Sequence, residues 1–512
     1  MSGVVAAGHE LTARAAEIIL REGGNAFDAA LGALAAACVV EPVLASLGGG
    51  AFLLAQPADG SARVYDCFVQ TPIRRRAVSE TDFRPIIADF GSAEQEFHVG
   101  NGSIATPGVV RGLFAVHRDL GRMPLPELMQ PALQYAAEGV IVNNFQAYIF
   151  SIISAIYTTS SSAMAIYGKS GRLPREGDTL RQPELADTLE TLAIEGERLF
   201  YQGEIARAIV TDQQSGGHLG ATDLSCYPVE VRRPLELTDY RQAGITTNPP
   251  PASGGLLIAF GLRLLESYAG ACPAFGSKGH LQRLIRVFEL TEEARLQIQA
   301  RLPEQDGQGL LHSGLVAEYR DRIAGQPPAR RGTTHISVMD GEGNVAALST
   351  SNGEGSGYMV PGTGIMLNNM LGEADLNTGG FHQWAENTRM TSMMAPSIIR
   401  FPDGRLATLG SGGSNRIRTA MLQVIFNLLD FGMGVDEAVN APRIHLEQGV
   451  LSIEGGFDTR VIEALSDSCR QQDVWDSINL FFGGVHTVLN DGNRFYGAGD
   501  PRRGGVCRIV GQ

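Results

Sequence analysis

Gly332, Thr333 and Thr334 follow one another where a stretch reading Gln326-Pro327-Pro328-Ala329-Arg330-Arg331 gives way to an alternating apolar–polar segment. A threonine hydroxyl is a weak nucleophile at neutral pH and needs a base. An α-amine has a reference pKa of about 7.7–8.0 and could be that base, if the chain were cut just before Thr333. In the uncut chain the same hydroxyl could attack the Gly332 carbonyl, which no side chain obstructs. Taken alone, the triplet reads better as the plain start of a strand.

The segment that follows gives Thr333 a neighbour. Thr334–Met339 alternates, Asp340-Gly341-Glu342-Gly343-Asn344 is a turn, and Val345–Thr350 alternates again. These local signals predict a β-hairpin. With the turn centred near Glu342, Thr333 falls opposite Ser351, so two hydroxyl residues share one face at the open end. Further on, Gly410-Ser411-Gly412-Gly413-Ser414-Asn415 could turn two backbone N–H groups toward one developing oxyanion. A bare turn is the plainer reading of that run. His335 is expected to pack beside the hairpin rather than to act as a base. Cys38, Cys67, Cys226, Cys272, Cys469 and Cys507 are scattered, without metal-ligand spacing, and read as free thiols.

These residues need elements to hold them. Helical spacing predicts helices over 10–22 and 28–40, followed by a glycine turn into a strand within 46–54 and a strand over 62–70. From about 105 to 300 the pattern is mostly helical, with helices over 108–119, 125–138, 182–194, 203–213, 255–268 and 278–300. Segment 301–332 reads as an exposed linker, and a helix is expected near 418–431. The 512 residues carry 63 glycines, about one in eight against a usual ~7%, which suits tight turns and backbone held close to a ligand. The net charge is −14 with no Lys/Arg-rich run, so nucleic acid and anionic membranes are poor partners. The N-terminus lacks a basic start and an apolar core, and the apolar run 29–40 is too short to span a bilayer. A cytoplasmic protein is the expectation.

Strings along nearly the whole chain carry a resemblance. They are GGNAFDAA (23–30), SLGGGAFLL (46–54), ATPGVVRG (105–112), GRMPLPELMQPAL (121–133), NPPPASGG (248–255), TTHISVMDGEGNVAALST (333–350), GTGIMLNN (362–369), TSMMAPS (391–397), GSGGSNRIR (410–418) and NAPRIH (440–445). In kind and order they resemble the γ-glutamyltranspeptidase family of N-terminal nucleophile hydrolases. The resemblance implies an α+β fold, a four-layer αββα sandwich of two stacked, mainly antiparallel sheets flanked by helices. It implies self-cleavage between Gly332 and Thr333 into a large fragment, 1–332, and a small catalytic fragment, 333–512. The two would interleave in one body and stay associated, with a homodimer possible. Thr333 would be the nucleophile, Ser351 its hydroxyl partner, and Gly412 and Gly413 the oxyanion donors. Water or an amine would accept the acyl group, and no metal or organic cofactor is implied.

A γ-glutamyl donor offers an α-carboxylate, which suits an Arg, and an α-ammonium, which suits a carboxylate. Where the family has Arg-Glu before an Ala-Pro pair, this chain has Phe68-Val69-Gln70-Thr71. Arg74, Arg75 and Arg76 follow. Arg76 is nearest in spacing and Arg75 next, although three arginines could equally be a solvated face. After Asn368-Asn369 the family's acidic or amide residue is replaced by Met370, and Glu373 and Asp375 remain to meet the ammonium. Asn352 is available beside them, ahead of a short loop, 353–357. Thr391 and Ser392 match a hydroxyl pair that contacts the carboxylate. His445 matches a family segment without a chemical role, and Asp500-Pro501-Arg502 reads as structural. The first expectation is a γ-glutamyl hydrolase/transferase acting through an acyl-Thr333 intermediate on glutathione-like amides. An acylase of the same mechanism on an oxamate-like or β-lactam side-chain amide is the alternative, and a non-catalytic binding protein the third.

Overall fold

The computed structural model describes residues 2–89, 94–158, 160–168, 171–268, 272–301, 332–377, 379–465 and 471–511. Most of the expected linker, residues 302–331, lies outside the described residues, as does Cys469.

The hairpin forms as its local signals dictate. Thr334–Asp340 pairs with Val345–Ser351, from Thr334 opposite Thr350 to Met339 opposite Val345. Asp340 builds the turn. Its Oδ1 accepts from the N–H groups of Glu342 at 2.9 Å and Asn344 at 3.0 Å. Its Oδ2 accepts from the Ala26 N–H at 2.8 Å, at the start of helix Ala26–Val40. That helix is apolar almost all round, Asp28 excepted, and buried at every position. An Asn25–Asp28 capping box starts it.

Around the hairpin grows a seven-stranded sheet. Its order is Val506–Val510, Gly3–Ala7, Thr334–Asp340, Val345–Ser351, Gly50–Gln56, Arg63–Cys67, Glu230–Arg232. Every pair is antiparallel. A second, six-stranded antiparallel sheet runs Phe495–Ala498, Gly484–Asn490, Leu406–Gly412, Ser397–Arg400, Ala243–Thr247, Leu235–Tyr240. The two sheets face each other through Thr334–Asp340 and Leu406–Gly412. Helices Glu10–Arg21 and Ala26–Val40 cover the outside of the first sheet. Gly254–Glu266 and Arg416–Leu429 cover the second. This is the four-layer αββα sandwich. Residues 1–332 and 333–512 both contribute strands to the first sheet and to the second. Hydrogen-bonded ladders therefore join them across both sheets.

Two features differ from the sequence reading. The chain opens on a strand, Gly3–Ala7, ahead of the two helices. It lies within the sheet and is buried on both faces, so it has no polar alternation to mark it. The region read as mostly helical also contains the strands Leu235–Tyr240 and Ala243–Thr247, which reach the second sheet through long-range pairing.

The packing makes the fold sensitive to acid. Burial pushes His9, His280 and His486 each down to about 4. In the unfolded chain such groups take up a proton near pH 6.5. Their folded pKa is depressed, so the unfolded state binds more protons between the two values, and stability is lost as pH falls from about 6.5 to about 4. The melting temperature is expected to fall steeply across that window in calorimetry. A flat profile from pH 7 to pH 4 would contradict this account.

Candidate active site

Thr333 sits at the mouth of the sandwich, just before its strand begins. Ile336 and Val338 face the helices, whereas Met339 faces the second sheet. By the same alternation Thr333, His335 and Ser351 lie on the inter-sheet side. His335 shows how dry that space is. Its ring nitrogens pair with the Ser349 and Ser337 hydroxyls at 2.8 and 2.9 Å. Burial holds its pKa well below the usual range. It is a packed structural residue.

The Thr333 hydroxyl donates to the Gly332 carbonyl oxygen at 2.7 Å, and the Ser351 hydroxyl donates to the same oxygen at 2.8 Å. Ser351 Oγ in turn accepts from the Gly353 N–H at 3.1 Å, which fixes its direction. The carbonyl preceding Thr333 is thus polarised by two hydroxyls, one of them attached to the residue that would attack it. Ser351→Ala removes one donor from a buried carbonyl and is expected to slow any cleavage at this bond about 10-fold, since such a bond is worth roughly 1–2 kcal/mol. The rate at which fragments appear, followed by mass spectrometry, measures this; an unchanged rate would remove Ser351 from the chemistry.

The second sheet closes the site from the other side. Gly412 ends the strand Leu406–Gly412, and a Cβ there would lie 2.0 Å from the Thr333 carbonyl oxygen. Only glycine admits that approach. Gly413 follows at φ +126°, and Ser414 at φ +53°. The turn leads into helix Arg416–Leu429.

A cleft opens beside Thr333. Of the residues anticipated from sequence, Gly332, Thr333, Ser351, Glu373, Asp375, Thr391 and Ser392 all line it. Ser414 Oγ donates to Asp375 at 2.8 Å, and the Thr391 hydroxyl is buried without a partner among the described residues. Gly412 abuts Thr333 from behind, and Gly413 is one residue further along the turn.

Four anticipated residues are placed elsewhere. Arg76 turns its backbone N–H to His218 at 3.0 Å and its guanidinium to the Gly217 carbonyl at 2.7 Å. Arg75 is exposed, bonded to the His382 carbonyl and lying over the Trp384 ring. Arg74 is exposed as well. Asn352 is fully buried, with neither end of its amide bonded to another group among the described residues, and does not line the cleft. The arginines are drawn away because the chain after Phe68 is tied down. Thr71 Oγ1 accepts from the Thr388 N–H at 2.8 Å, and the Ile73 N–H donates to Asp223 at 2.6 Å.

Sequence reasoning marked Phe68 and Met370 as departures from the family and missed the rest of the apolar cleft wall. Phe68, Met370, Leu376, Met393, Met394 and Ile417 give it an apolar side. Phe68 stands in the stretch where an arginine was sought. Arg389 fixes it by donating to the Phe68 carbonyl and the Tyr227 hydroxyl. Glu354 and Arg503 were also missed. Glu354 accepts from the Gly332 N–H at 2.6 Å. Arg503 approaches the Thr333 carbonyl at 3.4 Å. No local motif marks either one. Among the described residues no group of three His, Cys, Asp or Glu side chains is placed to hold a metal ion.

Known proteins share this architecture and sequence. The family model described as Gamma-glutamyltranspeptidase matches residues 12–510. The glutathione hydrolase proenzyme of Escherichia coli (strain K12) is 31% identical over 94% of this chain and 87% of its own length. The acylase ACY 1 proenzyme of Pseudomonas sp. (strain V22) is 32% identical over 90% of this chain and 86% of its own. Among solved structures, the cephalosporin acylase from Bacillus halodurans superposes with a TM-score of 0.85 at 25% identity, covering 99% of this chain and 95% of that one.

Proposed function

Because this chain belongs to the gamma-glutamyltranspeptidase family, we propose that it cleaves itself between Gly332 and Thr333 and then uses the freed Thr333 as the nucleophile of a γ-glutamyl hydrolase/transferase. The observation that carries the proposal is the pair of hydroxyls, Thr333 and Ser351, both directed at the Gly332 carbonyl oxygen beside an open cleft. Cleavage yields an α-amine next to the hydroxyl it activates. The amine takes the hydroxyl proton as Thr333 attacks the donor amide. The Gly412–Gly413 turn is assigned to the oxyanion, and water or an amine then takes the acyl group from Thr333. For a γ-glutamyl donor, Glu373 and Asp375 supply carboxylates for the α-ammonium, and the Thr391 and Ser392 hydroxyls meet the α-carboxylate.

The relatives named glutathione hydrolase proenzyme support this donor, and the acylase relatives support a second one. Phe68, Met370, Leu376, Met393, Met394 and Ile417 line the cleft, and no cationic side chain among the described residues does. An acyl chain that is apolar and lacks an α-carboxylate suits that wall. Purified, processed protein assayed with γ-glutamyl-p-nitroanilide and hexanoyl-p-nitroanilide separates the two. The first reading expects kcat/KM at least about 10-fold higher for the γ-glutamyl compound, the scale of one charge-assisted contact. Release from the hexanoyl compound alone would replace it with the acylase reading.

A further inference from the structure

We propose that Glu354 is the positioning residue for self-cleavage, its carboxylate holding the Gly332 N–H so that the Gly332 carbonyl stays in front of the Thr333 hydroxyl. This rests on the self-processing reading above and adds a residue to it.

A glycine before the scissile bond solves one problem and creates another. It admits the hydroxyl without obstruction, but it is the residue least able to hold its own backbone conformation. Gly332 is held from outside instead. Its N–H donates to Glu354 Oε1 at 2.6 Å, while its carbonyl oxygen accepts from Thr333 at 2.7 Å and from Ser351 at 2.8 Å. With both polar groups of residue 332 engaged, the Gly332 backbone is held on both sides of its Cα, and the carbonyl keeps its direction. A hydrogen bond from a neutral N–H to a carboxylate is roughly twice as strong as one to a neutral acceptor.

Glu354 is itself fixed. It is buried, and its backbone N–H donates to Asn369 Oδ1 at 2.9 Å. The turn that delivers it passes through Gly353 at φ +64°, where a Cβ would lie 2.1 Å from Asn369 Oδ1 and 2.4 Å from Glu373 Oε1. The guanidinium of Arg503, also buried, provides a countercharge that Glu354 stabilises. Arg503 reaches the Thr333 carbonyl, so opposite charges grip the chain on the two sides of the scissile bond.

The chemistry this geometry serves is balanced within the chain and one water. The Thr333 Oγ1–Gly332 C bond forms as the hydroxyl loses its proton. The C–N bond then breaks, and the nitrogen takes a proton to become the Thr333 α-amine. Water hydrolyses the resulting ester to a Gly332 carboxylate and the Thr333 hydroxyl. The new carboxylate is left beside that of Glu354, and repulsion between the like charges favours departure of the 332 end from the cleft.

The test follows the appearance of fragments 1–332 and 333–512 over time in wild type, Glu354→Ala and Glu354→Gln, by mass spectrometry, with melting temperatures measured alongside. Glu354→Ala should cleave about 10- to 100-fold more slowly, the cost of one hydrogen bond to a charged partner. Glu354→Gln keeps an acceptor oxygen without the charge. It should restore cleavage to within about 3- to 10-fold of wild type, because a neutral hydrogen bond retains about half the strength of a charged one. A residue that served only to pair with Arg503 would not be rescued by glutamine, so Gln as slow as Ala overturns the proposal even if the alanine variant folds poorly. Alanine cleaving at the wild-type rate overturns it too. Wild type that never cleaves would instead remove the self-processing reading on which it rests.

Discussion

Thr333→Ala is expected to leave purified protein as one continuous chain of 512 residues, where wild type yields pieces 1–332 and 333–512. Loss of the hydroxyl removes the attacking atom in both reactions, the cut of the Gly332–Thr333 bond and the acyl transfer that follows. Turnover should fall by about a million-fold, the scale on which removal of a hydrolase nucleophile acts. Stability should barely change. The side chain is buried, but its one hydrogen bond runs to the adjacent carbonyl, which Ser351 also satisfies. Mass spectrometry and a p-nitroanilide assay check this together. Two fragments with residual turnover near wild type would mean that another residue is the nucleophile.

Gly412→Ala should cost about 100-fold in turnover, for a steric reason. The added methyl would sit 2.0 Å from the Thr333 carbonyl oxygen and 2.9 Å from its carbon. The strand cannot back away easily. Gly412 pairs with Gly484, and the Ser411 hydroxyl ties the two strands by accepting from the Gly484 N–H at 3.1 Å. Gly484 is crowded as well, with the Arg503 side chain 2.5 Å from where its Cβ would lie. Thr333 must therefore move, and a displacement of about 1 Å at a reacting group can cost about 100-fold in rate. Gly434→Ala is the control. It has φ −63° and nothing within 4 Å of an added Cβ, so it should behave as wild type. If Gly412→Ala keeps its activity while Gly434→Ala keeps its own, the contact with Thr333 does not govern the reaction.

The sequence alone was enough for the features that local chemistry specifies. The turn around Asp340 and the alternation on either side set the hairpin register, and the register places Thr333 across from Ser351. The capped, almost wholly apolar segment behind it is a buried helix for equally local reasons. The linear order of motifs indicated the family, and through it the sandwich.

Tertiary structure decided what the cleft offers a substrate. Arg75 and Arg76 lie near Phe68 in sequence, yet hydrogen bonds from Thr71, Ile73 and Arg76 to distant segments pull the chain to another face. Phe68 is left in the wall instead. Glu354 and Arg503 meet at the Gly332–Thr333 peptide from positions far apart in the chain, brought together where the two sheets stack. A hydrogen-bonding turn depends on its own few residues, so its pattern can be read along the chain. A cleft wall is an intersection of segments that no periodicity links, so its composition exists only once the layers have packed.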